Sequence, residues 1–326
     1  MTPAPLRRPP FDPAVDAVLE RMRADGTLVP MTADQIAGRR ANAVPEDLSA
    51  FPVDRRDLTI AGYQGAALQV SVFRGSTVDK SAPAVLHIHG GGMMLGDRFA
   101  GMSAVLPWVV EHGVVAVTVE YRLAPEHPDP IPVEDCYAAL LWIAGHAAEL
   151  GIDPARIVLV GASAGGGLAA GVALLARDRG GPPPLGQMLI CPMLDDRDRT
   201  VSMRQFDGVG AWDRGSIRTG WTALLGDRHG TADVPIYAAP ARATSLGGLP
   251  ATFIDVGSAE VFRDEDVAFA TRIWADGGVA ELHVWPGGTH GWDQLVPQSP
   301  MARQAAEARN AWIARLLRRS ITTGHA

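Results

Sequence analysis

Two glycine-framed segments carry the residues best suited to chemistry. Gly161-Ala-Ser163-Ala-Gly165 presents a serine hydroxyl between glycines that clear room for backbone and substrate. His89-Gly-Gly-Gly92 presents consecutive backbone N–H groups free of obstructing side chains. A developing oxyanion needs such donors about 3 Å away. With 36 glycines and twelve serines in 326 residues, a chance match to the first pattern has odds of roughly one in seven. The second is expected by chance on the order of one time in a hundred. Together they point to attack by Ser163 on an acyl carbon. The N–H groups of Gly91, Gly92 and Ala164 are the natural oxyanion donors, and Gly90, Gly161 and Gly165 shape the two turns. A generic tight turn or a phosphate-cradling glycine loop is the plain alternative for the first segment. His89 reads as a loop-ordering residue, because the base is expected late in the chain.

Such a serine needs a general base and an acid that orients it. Nine histidines are present, and His290 stands apart. It follows the strand-like Leu282–Trp285 in the turn Pro286-Gly-Gly-Thr-His-Gly-Trp292. The acid is sought in the turn after Ala251–Val256, where Asp255, Glu260, Asp264, Glu265 and Asp266 all occur. Asp255 lies within the strand, and Asp264 to Asp266 lie a turn into the next helix. Glu260 sits at the mouth of the loop, thirty residues before His290, and is the preferred acid. A helix N-terminal charge is the open alternative there.

The elements that must position these groups alternate. Short apolar strands at Ala84–Ile88, Val114–Val119, Ile157–Val160, Met188–Cys191, Ala251–Val256 and Leu282–Trp285 interleave with helices. Those helices are expected at Phe99–His112, Val133–Leu150, Gly165–Ala176, Val261–Ala275 and Ala302–Leu317. Continuous apolar strands of this kind are covered on both faces, so a mostly parallel α/β sheet of about eight strands is expected. Asp57–Ala61 and Ala67–Phe73 read as an antiparallel pair at its start. Ser163 then falls between a buried strand and a helix whose N-terminal amides favour negative charge. Before the sheet, Asp12-Pro13 opens one helix and Thr32-Ala-Asp-Gln35 fits a capping box opening another. The stretch between Cys191 and Ala251 is too long for an ordinary crossover. It carries Phe206, Trp212 and Trp221. A division follows: residues 1–52 as an N-terminal helical cap segment and 53–326 as the core, with a lid-like insertion around 195–248 completing a small helical cap.

Composition excludes several classes. A net charge of −7 argues against a nucleic-acid partner, which usually leaves a basic patch. No apolar run approaches the ~20 residues of a membrane span, so no membrane partner is expected. Arg7 and Arg8 stand among four prolines in the first ten residues with no apolar stretch behind them, unlike a secretory signal. Cys136 and Cys191 have neither metal nor redox spacing and read as free buried thiols in a reducing compartment, so the cytoplasm is the default expectation.

With these residues in place, the chain resembles the hormone-sensitive-lipase-like (family IV) bacterial esterases of the α/β-hydrolase superfamily, from about Ala84 to the C-terminal helix. His89-Gly-Gly-Gly-Met-Met-Leu-Gly-Asp97 resembles the family's oxyanion segment. Tyr121-Arg-Leu-Ala-Pro-Glu-His-Pro128 resembles a specific signature block, Glu260-Val-Phe-Arg-Asp-Glu265 the acid block, and His290-Gly-Trp292 the place of the catalytic histidine. The chain departs from the family at Ala162, where Asp is frequent, at Asp129, where an aromatic is usual, at Trp292, and in having Glu rather than Asp at position 260.

The resemblance implies a serine carboxylesterase acting on short- to medium-chain acyl esters through a Ser163–His290–Glu260 triad and an acyl-enzyme. No cofactor or metal is needed. A small-molecule ester substrate and a homodimer are the expected partners, with Met93, Met94, Trp212 and Trp292 lining the substrate pocket. Amide or lactone hydrolysis and acyl transfer would use the same residues. A non-catalytic small-molecule receptor on this fold would typically lack the histidine.

Overall fold

The computed structural model describes residues 6–76 and 81–322. The first five residues of the expected cap segment and the last four of the core therefore lie outside the described residues. Chain order begins with α1 (Pro13–Ala24) and α2 (Ile36–Ala41), followed by β1 (Asp54–Ala61), β2 (Ala67–Arg74) and β3 (Ala82–Ile88). Then come α3 (Leu106–His112), β4 (Val115–Val119), α4 (Ile131–Gly145), α5 (Ala147–Leu150), β5 (Ile152–Ala162), α6 (Ala164–Arg179) and β6 (Gly186–Ile190). The chain finishes with α7 (Val201–Gln205), α8 (Arg214–Leu225), β7 (Ala251–Gly257), α9 (Arg263–Ala275), β8 (Ala280–Trp285), α10 (Trp292–Leu295) and α11 (Pro300–Thr322).

The eight strands form one sheet in the order β1-β2-β4-β3-β5-β6-β7-β8. β1 and β2 pair antiparallel, as the Gly-containing turn between them leads one to expect, and β2 meets β4 antiparallel. All later pairings are parallel. The sequence reading of a mostly parallel α/β sheet thus holds. β3, β4 and β6 are buried along their whole length, because helices cover both faces. One face packs on α4, α6 and α9, with Leu86, Ile88, Leu159 and Leu174 in its core. The other face packs on α3 and α11, with Val85, Val158, Val160, Trp108 and Trp312. Period-two alternation along β3 and β5 sends neighbouring residues to opposite layers.

Several helix ends differ from the sequence expectation by a few residues, α11 for example running Pro300–Thr322, and two differences have a clear local cause. The helix expected from Phe99 begins only at Leu106, because Gly101 sits at φ +86° and Pro107 is placed in the first turn, where it lacks a donor to lose. The helix expected through Leu150 breaks at His146, whose φ −108°, ψ 22° is non-helical. In the other direction, β5 runs to Ala162 and delivers the chain directly to Ser163.

The N-terminal segment is fastened to the 195–248 stretch. The Met31 amide donates to the Ser216 hydroxyl (2.8 Å, buried), and the Thr219 hydroxyl donates to the Met31 carbonyl (2.7 Å). Phe11 lies against Phe206 with ring centroids 6.1 Å apart. Phe206 and Trp221 are buried, so both aromatics serve the packing of this layer.

Candidate active site

Ser163 stands at the hairpin between β5 and α6 with φ 57° and ψ −123°. A non-glycine residue held there costs of order 1–3 kcal/mol and persists only where the surroundings impose it. They do: the Ser163 amide donates to the Ile190 carbonyl (2.8 Å), and its carbonyl accepts from the Met193 amide (3.0 Å). Gly161 and Gly165 are demanded by close approach. A Cβ on Gly161 would collide with the Gly165 carbonyl, and one on Gly165 with the carbonyls of Ile88 and His89. The elbow is thereby wedged against the end of β3, where the second glycine segment begins.

That segment turns through left-handed conformations. Gly91 has φ +113°, and a Cβ there would strike the Leu95 carbonyl. Three groups hold the turn. Tyr121 donates to the His89 carbonyl (2.9 Å) and stacks on the His89 ring at 4.2 Å. Arg40 of α2 donates to the carbonyls of Met94 and Ala124, both at 2.7 Å. His89 is buried, its Nδ1 lies 2.8 Å from the Gly90 carbonyl, and burial pulls its pKa down. Its polar and stacking contacts are to Gly90 and Tyr121. The nearby His87 is likewise held neutral, pushed down to about 3 by burial and by His89.

The loops after β7 and β8 bring Glu260 and His290 together. Gly257 lies so close to Gly288 that a Cβ would collide with the Gly288 carbonyl, and the Ala259 amide donates to that carbonyl at 3.0 Å. Glu260 is 1% exposed. Its Oε1 accepts from the Gly257 amide (2.9 Å), and its Oε2 lies 2.7 Å from His290 Nδ1. His290 Nε2 lies 3.0 Å from Ser163 Oγ. The Phe262 ring meets the imidazole edge-on at 5.2 Å. Asp264 is occupied elsewhere, accepting from the Ser202 amide (2.7 Å) and from Arg263 (2.8 Å).

Behind Glu260 and His290 lies an unmatched set of carboxyls. Burial raises Glu265 and Asp266 well above the ordinary carboxylate range. Glu265 still accepts from the Leu194 and Asp195 amides (2.8 and 3.1 Å). Neither oxygen of Asp266 has a hydrogen-bond partner among the described residues. A carboxyl whose folded pKa is raised binds more protons folded than unfolded, so stability falls as pH rises above its unfolded value of about 3.9. Asp266→Asn removes that loss. Thermal melts should show a gain that grows from pH 5 to pH 8 and reaches roughly 2–6 °C; a gain independent of pH would contradict the assignment.

A cavity of about 600 Å³ opens on Ser163 and His290. It runs along Val160, Ala162 and Ile190 of the sheet, toward the layer of α3 and α11. Trp212 of the 195–248 stretch lines it. Met93, Met94 and Trp292 do not, contrary to the sequence expectation. All three are fully buried: Met94 packs with Met31 and Ile36, and Trp292 packs against Gly288. Ala162, where the family often has Asp, forms part of the cavity wall. Asp129, where an aromatic is usual, instead pairs with Arg228 (2.9 Å).

Sequence reasoning missed two groups on this wall. Cys191, at φ 37°, lines the cavity beside His290. Arg309 of α11 donates to Asp255 (2.9 Å) and Asp293 (2.6 Å) in a buried network. Burial opposes the Arg309 charge, but the two carboxylates outweigh it. Asp255 inside an apolar strand was the only available hint. Among the described residues no helix is long and apolar enough to cross a membrane.

Known proteins resemble the chain over most of its length. A family model described as alpha/beta hydrolase fold matches residues 85–294. Carboxylesterase NlhH of Mycobacterium tuberculosis is 33% identical over 317 residues, covering 94% of this chain and 96% of that protein. Carboxylic ester hydrolase LipN of the same organism is 33% identical, covering 87% and 77%. Among solved structures, a bacterial heroin esterase superposes with a TM-score of 0.87 at 38% identity, covering 94% of this chain and 98% of that one. The chain is therefore a member of the alpha/beta hydrolase fold family, in its hormone-sensitive-lipase-like branch, and a carboxylic ester hydrolase.

Proposed function

We propose that the chain hydrolyses carboxylic esters in two steps with Ser163 as nucleophile. The hydrogen-bonded row Glu260–His290–Ser163 carries this reading. Ser163 Oγ attacks the ester carbonyl while His290 Nε2 takes its proton. Glu260 fixes the tautomer and offsets the imidazolium charge. The oxyanion is received by the N–H groups of Gly91, Gly92 and Ala164, each worth roughly 3–4 kcal/mol in comparable sites. His290 then returns its proton to the leaving alcohol, which departs and leaves an acyl-Ser163 ester. Water, deprotonated by His290, repeats the attack and releases the acid. A chromogenic ester panel from acetyl to palmitoyl, with mass analysis of the quenched enzyme, tests this. The acyl mass should appear on the peptide that carries Ser163, and an adduct on any other residue would overturn the mechanism.

The cap is formed by residues 1–52 together with the insertion around 195–248, an assignment supported by the Met31–Ser216 and Thr219–Met31 hydrogen bonds. Cys136 and Cys191 are both buried and unpaired, which suits a reducing cytoplasm. The substrates are short- to medium-chain esters, whose non-acetyl portion extends from Ser163 toward α3 and α11. The exposed Ala104 and Ala306 lie where that cavity reaches solvent. The double variant Ala104→Trp/Ala306→Trp should narrow this exit, raising KM for octanoyl esters at least roughly tenfold while changing acetyl ester turnover by less than about twofold. Equal effects on both chain lengths would place the long group elsewhere.

A further inference from the structure

We propose that Cys191, Glu260 and His290 form a binding site for a thiophilic divalent cation such as Zn²⁺, and that filling it switches the hydrolase off. One ligand atom from each residue lies within 4.8 Å of the other two. In a tetrahedral zinc site, bonds of about 2.0–2.3 Å place neighbouring ligands roughly 3.3–3.8 Å apart. A contraction of about 1 Å thus converts the present arrangement into a three-ligand site with a position left for water. Cys191 and His290 both line the cavity that opens on Ser163, so the cation has a route of entry.

The charges around the thiol favour a cation. The Cys191 thiol is buried, and the buried Glu260 carboxylate belongs to the same cluster. The Glu260 carboxylate attracts a dication, and a bound metal stabilises the neighbouring thiolate directly. The step balances simply: the Cys191 S–H bond breaks, its proton leaves to solvent and a metal–sulfur bond forms. A mixed sulfur, nitrogen and oxygen set of this kind selects Zn²⁺ or Cd²⁺ over Mg²⁺ or Ca²⁺.

Inhibition follows from imidazole chemistry and rests on His290 being the base. Neutral imidazole has one ring nitrogen lone pair able to accept a proton. A metal on Nε2 occupies that lone pair, whereas a metal on Nδ1 leaves the proton on Nε2. In both cases Ser163 loses its proton acceptor.

The test starts from protein stripped with EDTA. Zn²⁺ should inhibit ester hydrolysis reversibly, with a chelator restoring the rate, while equal Mg²⁺ or Ca²⁺ has no effect. Expressed against each variant's own metal-free rate, the Zn²⁺ concentration for half inhibition should rise at least roughly tenfold in Cys191→Ala. Binding is read separately as the thiolate-to-metal charge-transfer band in Cd²⁺ difference spectra. That band should appear with one equivalent in wild type, Cys136→Ala and Ser163→Ala. No band in wild type, its loss in Cys136→Ala, or unchanged Zn²⁺ sensitivity in Cys191→Ala overturns the proposal. Because Ser163→Ala reports binding without turnover, failure of the hydrolytic mechanism and failure of the metal site are distinguishable.

Discussion

Ser163→Ala is expected to lower kcat/KM for a short-chain chromogenic ester by roughly 10⁴- to 10⁶-fold. At 1.36 kcal/mol per decade this corresponds to about 5–8 kcal/mol of transition-state stabilisation. The variant keeps the oxyanion donors and the cavity, so a small residual rate above water should survive. Loss on this scale requires that the acyl group be carried by the hydroxyl that lies 3.0 Å from His290 Nε2. Folding should be retained, since alanine at φ 57° meets the same backbone strain as serine and the hydroxyl makes no cap hydrogen bond. The decisive comparison is therefore kcat/KM against thermal stability. Turnover within tenfold of wild type, in a folded variant, would sink the assignment of Ser163.

The second large effect concerns the acid. Glu260→Gln should reduce kcat by roughly 10²- to 10⁴-fold with little change in KM, because a neutral amide cannot offset the imidazolium formed in the transition state. The burial of Glu260 makes this charge interaction strong, since water screens it poorly. Glu260→Asp should fall between wild type and Gln, because the carboxylate withdraws by about one carbon–carbon bond of ~1.5 Å from a hydrogen bond now at 2.7 Å. Asp264→Asn provides the contrast. Its carboxylate ties the Ser202 amide and Arg263, so the substitution should cost roughly 1–2 kcal/mol of stability while leaving kcat nearly intact. If Asp264→Asn produced the larger fall in kcat, the acid would have been misassigned.

Ser163, His290 and the glycine loop were legible because local backbone geometry constrains them. A strand-to-helix hairpin this tight admits only glycine at 161 and 165, and that demand is written in five consecutive residues. Glu260 was harder to pick out, since five acidic residues crowd one turn and helix. Position at the loop mouth favoured it, and the hydrogen bond to His290 is present in the fold. The mostly parallel strand direction followed from apolar runs alternating with helices, whereas the strand order β1-β2-β4-β3-β5-β6-β7-β8 came only from the fold. Helix ends were less legible: Gly101 shortens α3 and His146 interrupts the α4–α5 segment for reasons set by a few dihedral angles.

What the sequence determined by itself was thus the chemistry that neighbouring residues enforce on one another: the elbow, the glycine loop, the strand-helix rhythm, and the chain order of serine, acid and base. The tertiary structure alone decided which side chains face the cavity. Met93, Met94 and Trp292 are apolar and close to the motifs in sequence, yet they are buried in the core, while Ala162, Cys191 and Arg309 reach the cavity wall. The physical reason is that facing is set by which layer of the sheet a residue points to and what packs there. Contacts between β6, β7 and α11 join residues more than fifty positions apart, such as Asp255 and Arg309, and no local pattern records them.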